Sequence, residues 1–128
     1  MAEVVADASA LIDLLLGNDL GQAVGRRLAG IALHAPAHVD AEVLSALGRL
    51  HRSGALEASA VEAKLTALAA APITRHGVHD LVLGAWARRH RLRLADALYI
   101  ELASRLDCPL VTTDRRLHDE PVTDVVYE

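Results

Sequence analysis

The chain has 128 residues, 52% of them hydrophobic, enough for one domain with a full core, and that core must be aliphatic because there is no Phe, one Trp and two Tyr. A formal net charge of −4 gives no overall nucleic-acid signature, although the cations are nearly all arginine, the residue better suited to bidentate phosphate contacts. The single Cys108 excludes an internal disulfide and a cysteine zinc cluster, and no stretch is long and apolar enough for a membrane-spanning helix.

Glu3-Val4-Val5-Ala6-Asp7 reads as a buried strand that ends in an acid. Its acids and the lack of a basic flank argue against a signal peptide, so a cytoplasmic location is expected. Leu11, Ile12, Leu14 and Leu15 then recur at helical spacing, and Gly17-Asn18 stops that first helix. Asp19 with Gln22 reads as a capping box for a second helix, which Gly30 ends. Ile31–His34 is a short strand candidate. Pro36 is expected to open a third helix, with Val39, Val43, Leu47 and Leu50 on one face, broken at Ser53-Gly54. A fourth helix spans about Ala58 to Ala70, and Ile73-Thr74 is a very short strand candidate. Val78, Leu81, Val82, Ala85 and Trp86 mark a fifth helix, with Arg88, Arg89 and Arg91 at its end. A sixth begins near Ala95 with Leu98, Leu102 and Leu106. Leu110–Thr113 reads as a strand with Asp114 just past it, and Val122–Tyr127 as the last strand. Strands alternating with helices predict an α/β fold with a mainly parallel sheet covered on both faces, and a two-helix excursion between Pro36 and Ala71.

Four acids stand at or near helix N-termini in this reading: Asp7, Glu42, Asp96 and Asp114. In a parallel sheet those ends face one edge, so acids from distant parts of the chain converge on one cleft. Four independent helix caps would explain Asp7 and Asp114. They explain Glu42 poorly, since Asp40 is the better cap, and leave Asp96 inside an otherwise apolar run. Crowded carboxylates resist ionisation unless a cation sits among them, and hard divalent ions favour such oxygens. The seven histidines are scattered and offer no zinc pattern. A metal held by carboxylates can activate water and offset charge on a phosphate, which points to phosphodiester chemistry.

Val5-Ala6-Asp7-Ala8-Ser9-Ala10, Asp40-Ala41-Glu42-Val43-Leu44, Leu94-Ala95-Asp96-Ala97-Leu98-Tyr99 and Leu110–Leu117 together resemble, in order, the signature blocks of PIN-domain ribonucleases, most nearly the VapC toxins of bacterial toxin–antitoxin pairs. The resemblance covers the whole chain. It implies a three-layer α/β/α fold over residues 1–128 and Mg²⁺- or Mn²⁺-dependent endonucleolytic cleavage of RNA, either tRNA or rRNA. It also implies a homodimer and a cognate VapB-like antitoxin. Carried over by position, Asp7 and Asp96 would be the principal metal ligands and Glu42 and Asp114 would complete the catalytic site, with Ser9 and Thr112 as supporting hydroxyls. Ala37 stands where many relatives place a hydroxyl residue, which leaves the local hydrogen bonding open. Asp119 reads as a solvated loop residue rather than a fifth ligand.

Two other fold-and-function classes share some of these features. A receiver-like signalling domain needs adjacent acids after its first strand and a late lysine, whereas Ala8 follows Asp7 and the only lysine is Lys64. A catalytically inactive PIN-like binding module fits less well with all four acids present. An acidic site also needs flanking cations to hold RNA; the candidates are Arg88, Arg89, Arg91 and Arg93, which also suit solvated helix ends, with Arg115 and Arg116 beside Asp114. An antitoxin segment would need an apolar groove, for which Leu11, Leu14, Leu15, Val43, Leu44 and Leu47 are candidates, some of them necessarily core.

Overall fold

The computed structural model describes residues 2–128. β1 (Glu3–Ala6) leads through Asp7 into α1 (Ala8–Leu16) and α2 (Asp19–Leu28). β2 (Ala32–Pro36), α3 (Val39–Arg52), α4 (Ala58–Ala70) and β3 (Ile73–His76) follow. A 3-10 turn over Val78–Asp80 precedes α5 (Val82–Ala87), α6 (Leu94–Leu106) and β4 (Leu110–Thr112). A second 3-10 turn, Arg115–Leu117, connects to β5 (Thr123–Val125).

The strands form one sheet in the order β3-β2-β1-β4-β5, every pair parallel. The chain winds outward from β1 to β2 and β3, then returns to lay β4 on the other side of β1. The order therefore reverses between β1 and β4, and ligands of open parallel sheets bind outside the carboxyl ends at such a switch. Receiver-like domains have the order 2-1-3-4-5, so the topology excludes that reading.

Alternation along β1 builds both halves of the core. Val5 packs with Leu11, Val39, Val43, Leu47, Tyr99 and Leu110 on one face. Val4 packs with Val24, Leu28, Val111 and Leu33 on the other. Strands covered on both sides are continuous apolar runs for this reason. Each fully buried aliphatic side chain contributes roughly 1.5–3 kcal/mol of transfer free energy.

Local chemistry places the boundaries, and it corrects several expectations. Pro36 closes β2 instead of opening α3: it lies in register with His76, and the next backbone N–H, of Ala37, is spent on the His76 carbonyl. A proline ends a strand comfortably because it has no N–H to give. Asn18, not Asp19, caps α2, its side chain accepting from Gly21 N. Gly21 is required there, since a Cβ would lie 1.9 Å from the Asp13 carbonyl oxygen of α1. Gly17 ends α1 in the left-handed region, φ 68°, which glycine adopts freely. The fifth helix is split, its first turn being the 3-10 segment. The two-helix excursion is not peculiar to Pro36–Ala71: α1/α2, α3/α4 and α5/α6 each form a paired crossover.

Candidate active site

Asp7 follows β1 in extended conformation and caps α1, its Oδ1 accepting from Ala10 N at 3.0 Å. The cap reading is therefore right but incomplete. Ser9 Oγ also donates to Oδ1 at 2.6 Å, and Thr112 Oγ1, fully buried at the end of β4, donates to Oδ2 at 2.5 Å. Ser9 and Thr112 lie 3.1 Å apart, and their hydroxyls accept from Thr113 N and Asp114 N. This lattice ties the ends of β1 and β4 together at the switch point. Asp7 is only 4% exposed, and burial pushes its carboxyl up to about 6 despite those donors, with Asp114 adding repulsion.

The other three acids are linked to it, directly or in turn, by charge. Asp96, in the first turn of α6, is raised first by burial and then by the charges of Asp114 and Glu42. Asp114 caps the 3-10 turn after β4, accepting from Arg116 N at 3.0 Å, and the Arg116 guanidinium holds its carboxyl below the usual range. Glu42, in the first turn of α3, accepts from the Tyr99 hydroxyl at 2.5 Å. Repulsion thus links Asp7 to Asp114, Asp114 to Asp96 and Asp96 to Glu42. Asp40, the expected cap of α3, instead pairs with Arg75 at 2.7 Å, and His38 occupies the cap position.

Positive charge has gathered around these acids. Arg116 pairs with Asp114 and its Nη2 reaches 3.8 Å from Asp96; Arg93 lies 3.6 Å from Asp96. The Arg116 guanidinium offsets part of the charge of both Asp114 and Asp96. An all-carboxylate donor set suits a hard divalent ion. Among the described residues no three His, Cys, Asp or Glu side chains stand close enough in this arrangement to hold one ion. The reason is local: Asp114 is turned to Arg116 and Glu42 to Tyr99. By the chemistry of the donor set, four carboxylates, the residues fit such an ion.

The remaining arginines divide by partner. Arg88 pairs with Glu101 at 3.1 Å and Arg91 with Glu120 at 3.4 Å, while the Arg89 guanidinium covers the Trp86 ring at 4.8 Å. Arg115 lies over the ring of Tyr127 at 4.9 Å. Asp119 is an exposed loop residue beside His118. Sequence reasoning passed over Tyr99, His38 and Asp13, the last accepting from Thr113 Oγ1 at 2.7 Å. Tyr99 had a signal, standing three residues after Asp96 and so on the same helix face. Of the expected groove residues, Leu11, Val43 and Leu47 are core, while Leu14 and Leu44 are exposed.

The PIN-domain family model matches residues 4–121. The chain belongs to the PIN-domain family. Within it, this PIN domain is 57% identical over 116 residues to Ribonuclease VapC3 of Mycobacterium tuberculosis, covering 90% of this chain and 85% of the relative. It is 37% identical to Ribonuclease VapC1 of the same species, covering 94% and 92%. Its fold matches the M. tuberculosis sarcin–ricin-loop-cleaving toxin VapC20 with a TM-score of 0.73 at 17% identity, covering 97% and 99% of the two chains. It also matches a chain of a toxin–antitoxin complex from Klebsiella pneumoniae with a TM-score of 0.69 at 20% identity, covering 98% of each. The three-layer PIN arrangement is thus the fold of this chain, and VapC ribonucleases are its relatives. No helix among the described residues is long and apolar enough to cross a membrane.

Proposed function

We propose that this chain is the endoribonuclease toxin of a VapBC-type pair, hydrolysing RNA phosphodiester bonds with Mg²⁺ or Mn²⁺ held by Asp7, Glu42, Asp96 and Asp114. The observation that carries the reading is the charge coupling that links these four acids, from four parts of the chain, in a fold shared with VapC ribonucleases. When bound, the ion activates a water and offsets charge building on the phosphate. Asp7 is the rigid ligand, its orientation held by Ser9, Thr112 and Ala10 N. Asp96 would join it from α6, Glu42 from α3 and Asp114 from the turn after β4. Arg116, next to Asp114 and Asp96, would take an RNA phosphate, with Arg115 as a second contact from the same turn.

Two surfaces accommodate protein partners in this reading. Leu44 borders an apolar groove between α3 and α4, floored by Leu65, Leu68 and Ala69 with the Asp40–Arg75 pair at its rim; it is the seat proposed for an antitoxin segment. Val82, Leu83, Trp86 and Leu94 are exposed together on α5 and the start of α6, and a second copy of the chain is proposed to cover them. Leu94 is two residues from Asp96, so such a dimer would bring its two clefts close.

The test is RNA degradation by the purified chain with Mn²⁺, repeated with Asp7→Asn and Asp96→Asn. Both variants are expected to stay folded and lose nearly all activity, and a co-expressed neighbouring basic protein should co-purify and suppress the wild type. Undiminished activity in both variants would sink the ligand assignment. Absence of activity in the wild type would favour an inactive binding module.

A further inference from the structure

Glu42 is the odd member of the acid set. It is the one glutamate among them and has the longest side chain. Its carboxylate is nevertheless held by two side chains. Tyr99, 2% exposed, donates its hydroxyl to Glu42 Oε1 at 2.5 Å. His38, one turn before Glu42 on α3, lies with Nε2 3.4 Å from the same Oε1 and 3.2 Å from the Ala95 carbonyl oxygen. Both of those oxygens only accept, so Nε2 carries the proton. The imidazole and phenol rings pack with centroids 4.6 Å apart. His38 Nδ1 is buried without a hydrogen-bond partner, a cost that the contacts on the other side of the ring must offset.

The two contacts share a direction. Ala95 precedes Asp96, and Tyr99 lies three residues after it. Each link therefore runs from the Glu42 end of α3 to the first turns of α6 that carry Asp96. One oxygen of Glu42, Oε1, takes both contacts. We propose that His38 and Tyr99 are positioning residues that set the Glu42–Asp96 geometry for a divalent ion by clamping Glu42 Oε1 and pinning α3 to the start of α6. The proposal rests on the metal-site reading above. Groups that orient a ligand typically change metal affinity or activity about 10–100-fold when removed.

The experiment is direct Mn²⁺ binding to the purified full chain, by electron paramagnetic resonance titration, alongside RNase kinetics. Tyr99→Phe keeps the ring and its packing and removes only the hydroxyl. It should weaken Mn²⁺ binding about tenfold or more and lower kcat with little change in KM for RNA. His38→Leu should do the same, and His38→Gln, which restores a donor, should recover much of the loss. Melting curves separate these effects from misfolding; if Tyr99→Phe does not fold, the Leu/Gln pair at position 38 decides. Wild-type Mn²⁺ affinity in both Tyr99→Phe and His38→Leu would overturn the clamp. Asp96→Asn is the control: if it too binds Mn²⁺ like the wild type, the metal-site reading has failed, and the clamp with it.

Discussion

Asp7 shows how one side chain can be costly to the fold and useful to the site. Its carboxyl titrates near 6 in the folded chain against 3.8 for an ordinary aspartate, because burial disfavours the charge more than three donors favour it. An acid whose folded value is raised holds its proton longer in the native state than in the unfolded one. Stability from this group is therefore greatest below about 4, falls as pH rises through about 6, and is level above that. The penalty at neutral pH is on the order of 3 kcal/mol. His76 acts in the opposite sense, since burial and His34 lower its value and favour the neutral ring as pH rises. The informative quantity is thus the difference between wild type and Asp7→Asn. Without metal, calorimetry should find the variant at least as stable as wild type at pH 7.5, with its advantage shrinking by pH 4.5. A variant less stable at both pH values would show that the carboxylate is not under strain.

Among the elements, the 3-10 turn after β4 concentrates both signs of charge in one loop. Asp114 caps it, Arg116 reaches back to Asp114 and Asp96, and Arg115 turns away to Tyr127. The two adjacent arginines thus have separate environments despite their identical chemistry. Replacing both with alanine should weaken RNA binding and flatten the salt dependence of log K by about one to two units, in line with one or two lost phosphate contacts. Affinity and slope measured by fluorescence anisotropy over a range of salt would decide it. If both stay unchanged, this turn is not part of the RNA surface. Arg88 and Arg91 make a useful contrast, since their partners Glu101 and Glu120 already answer their charge. Their variants should change RNA affinity less than the Arg115/Arg116 pair does.

For the whole molecule, the apolar face of α5 and α6 is the largest statement left open by the folded chain alone. Leu83 is 79% exposed and Trp86 54% exposed, an expensive arrangement in water unless something covers it. Leu83→Asp is expected to convert a dimer to a monomer in sedimentation or light scattering while leaving the melting profile of the protomer cooperative. Trp86 fluorescence should shift to longer wavelength as its ring is wetted. A wild type that is monomeric at high concentration would remove the second copy as the occupant of this face.

Much of this protein follows from its sequence because the cues are local. A β-branched run into Asp7, the strand Leu110–Thr112 and the amphipathic repeats of α3 and α6 declare themselves within a few residues of chain. Acids at strand ends or helix starts are then expected along one edge of a parallel sheet. Where local cues conflict with distant pairing, the sequence misleads. Pro36 has the credentials of a helix opener, but pairing with β3 makes it the end of a strand. Asp40 looks like the cap of α3, yet Arg75, thirty-five residues on, claims it. Leu14 and Leu47 look alike in a helical pattern, and only the packing of α1 and α3 leaves one exposed and the other fully buried. The clamp on Glu42 belongs to the same class. Tyr99 and His38 are unremarkable in the chain and become a pair only when α3 crosses the start of α6. Contacts between elements distant in sequence are set by the strand order and the helix packing, which no short stretch of residues encodes.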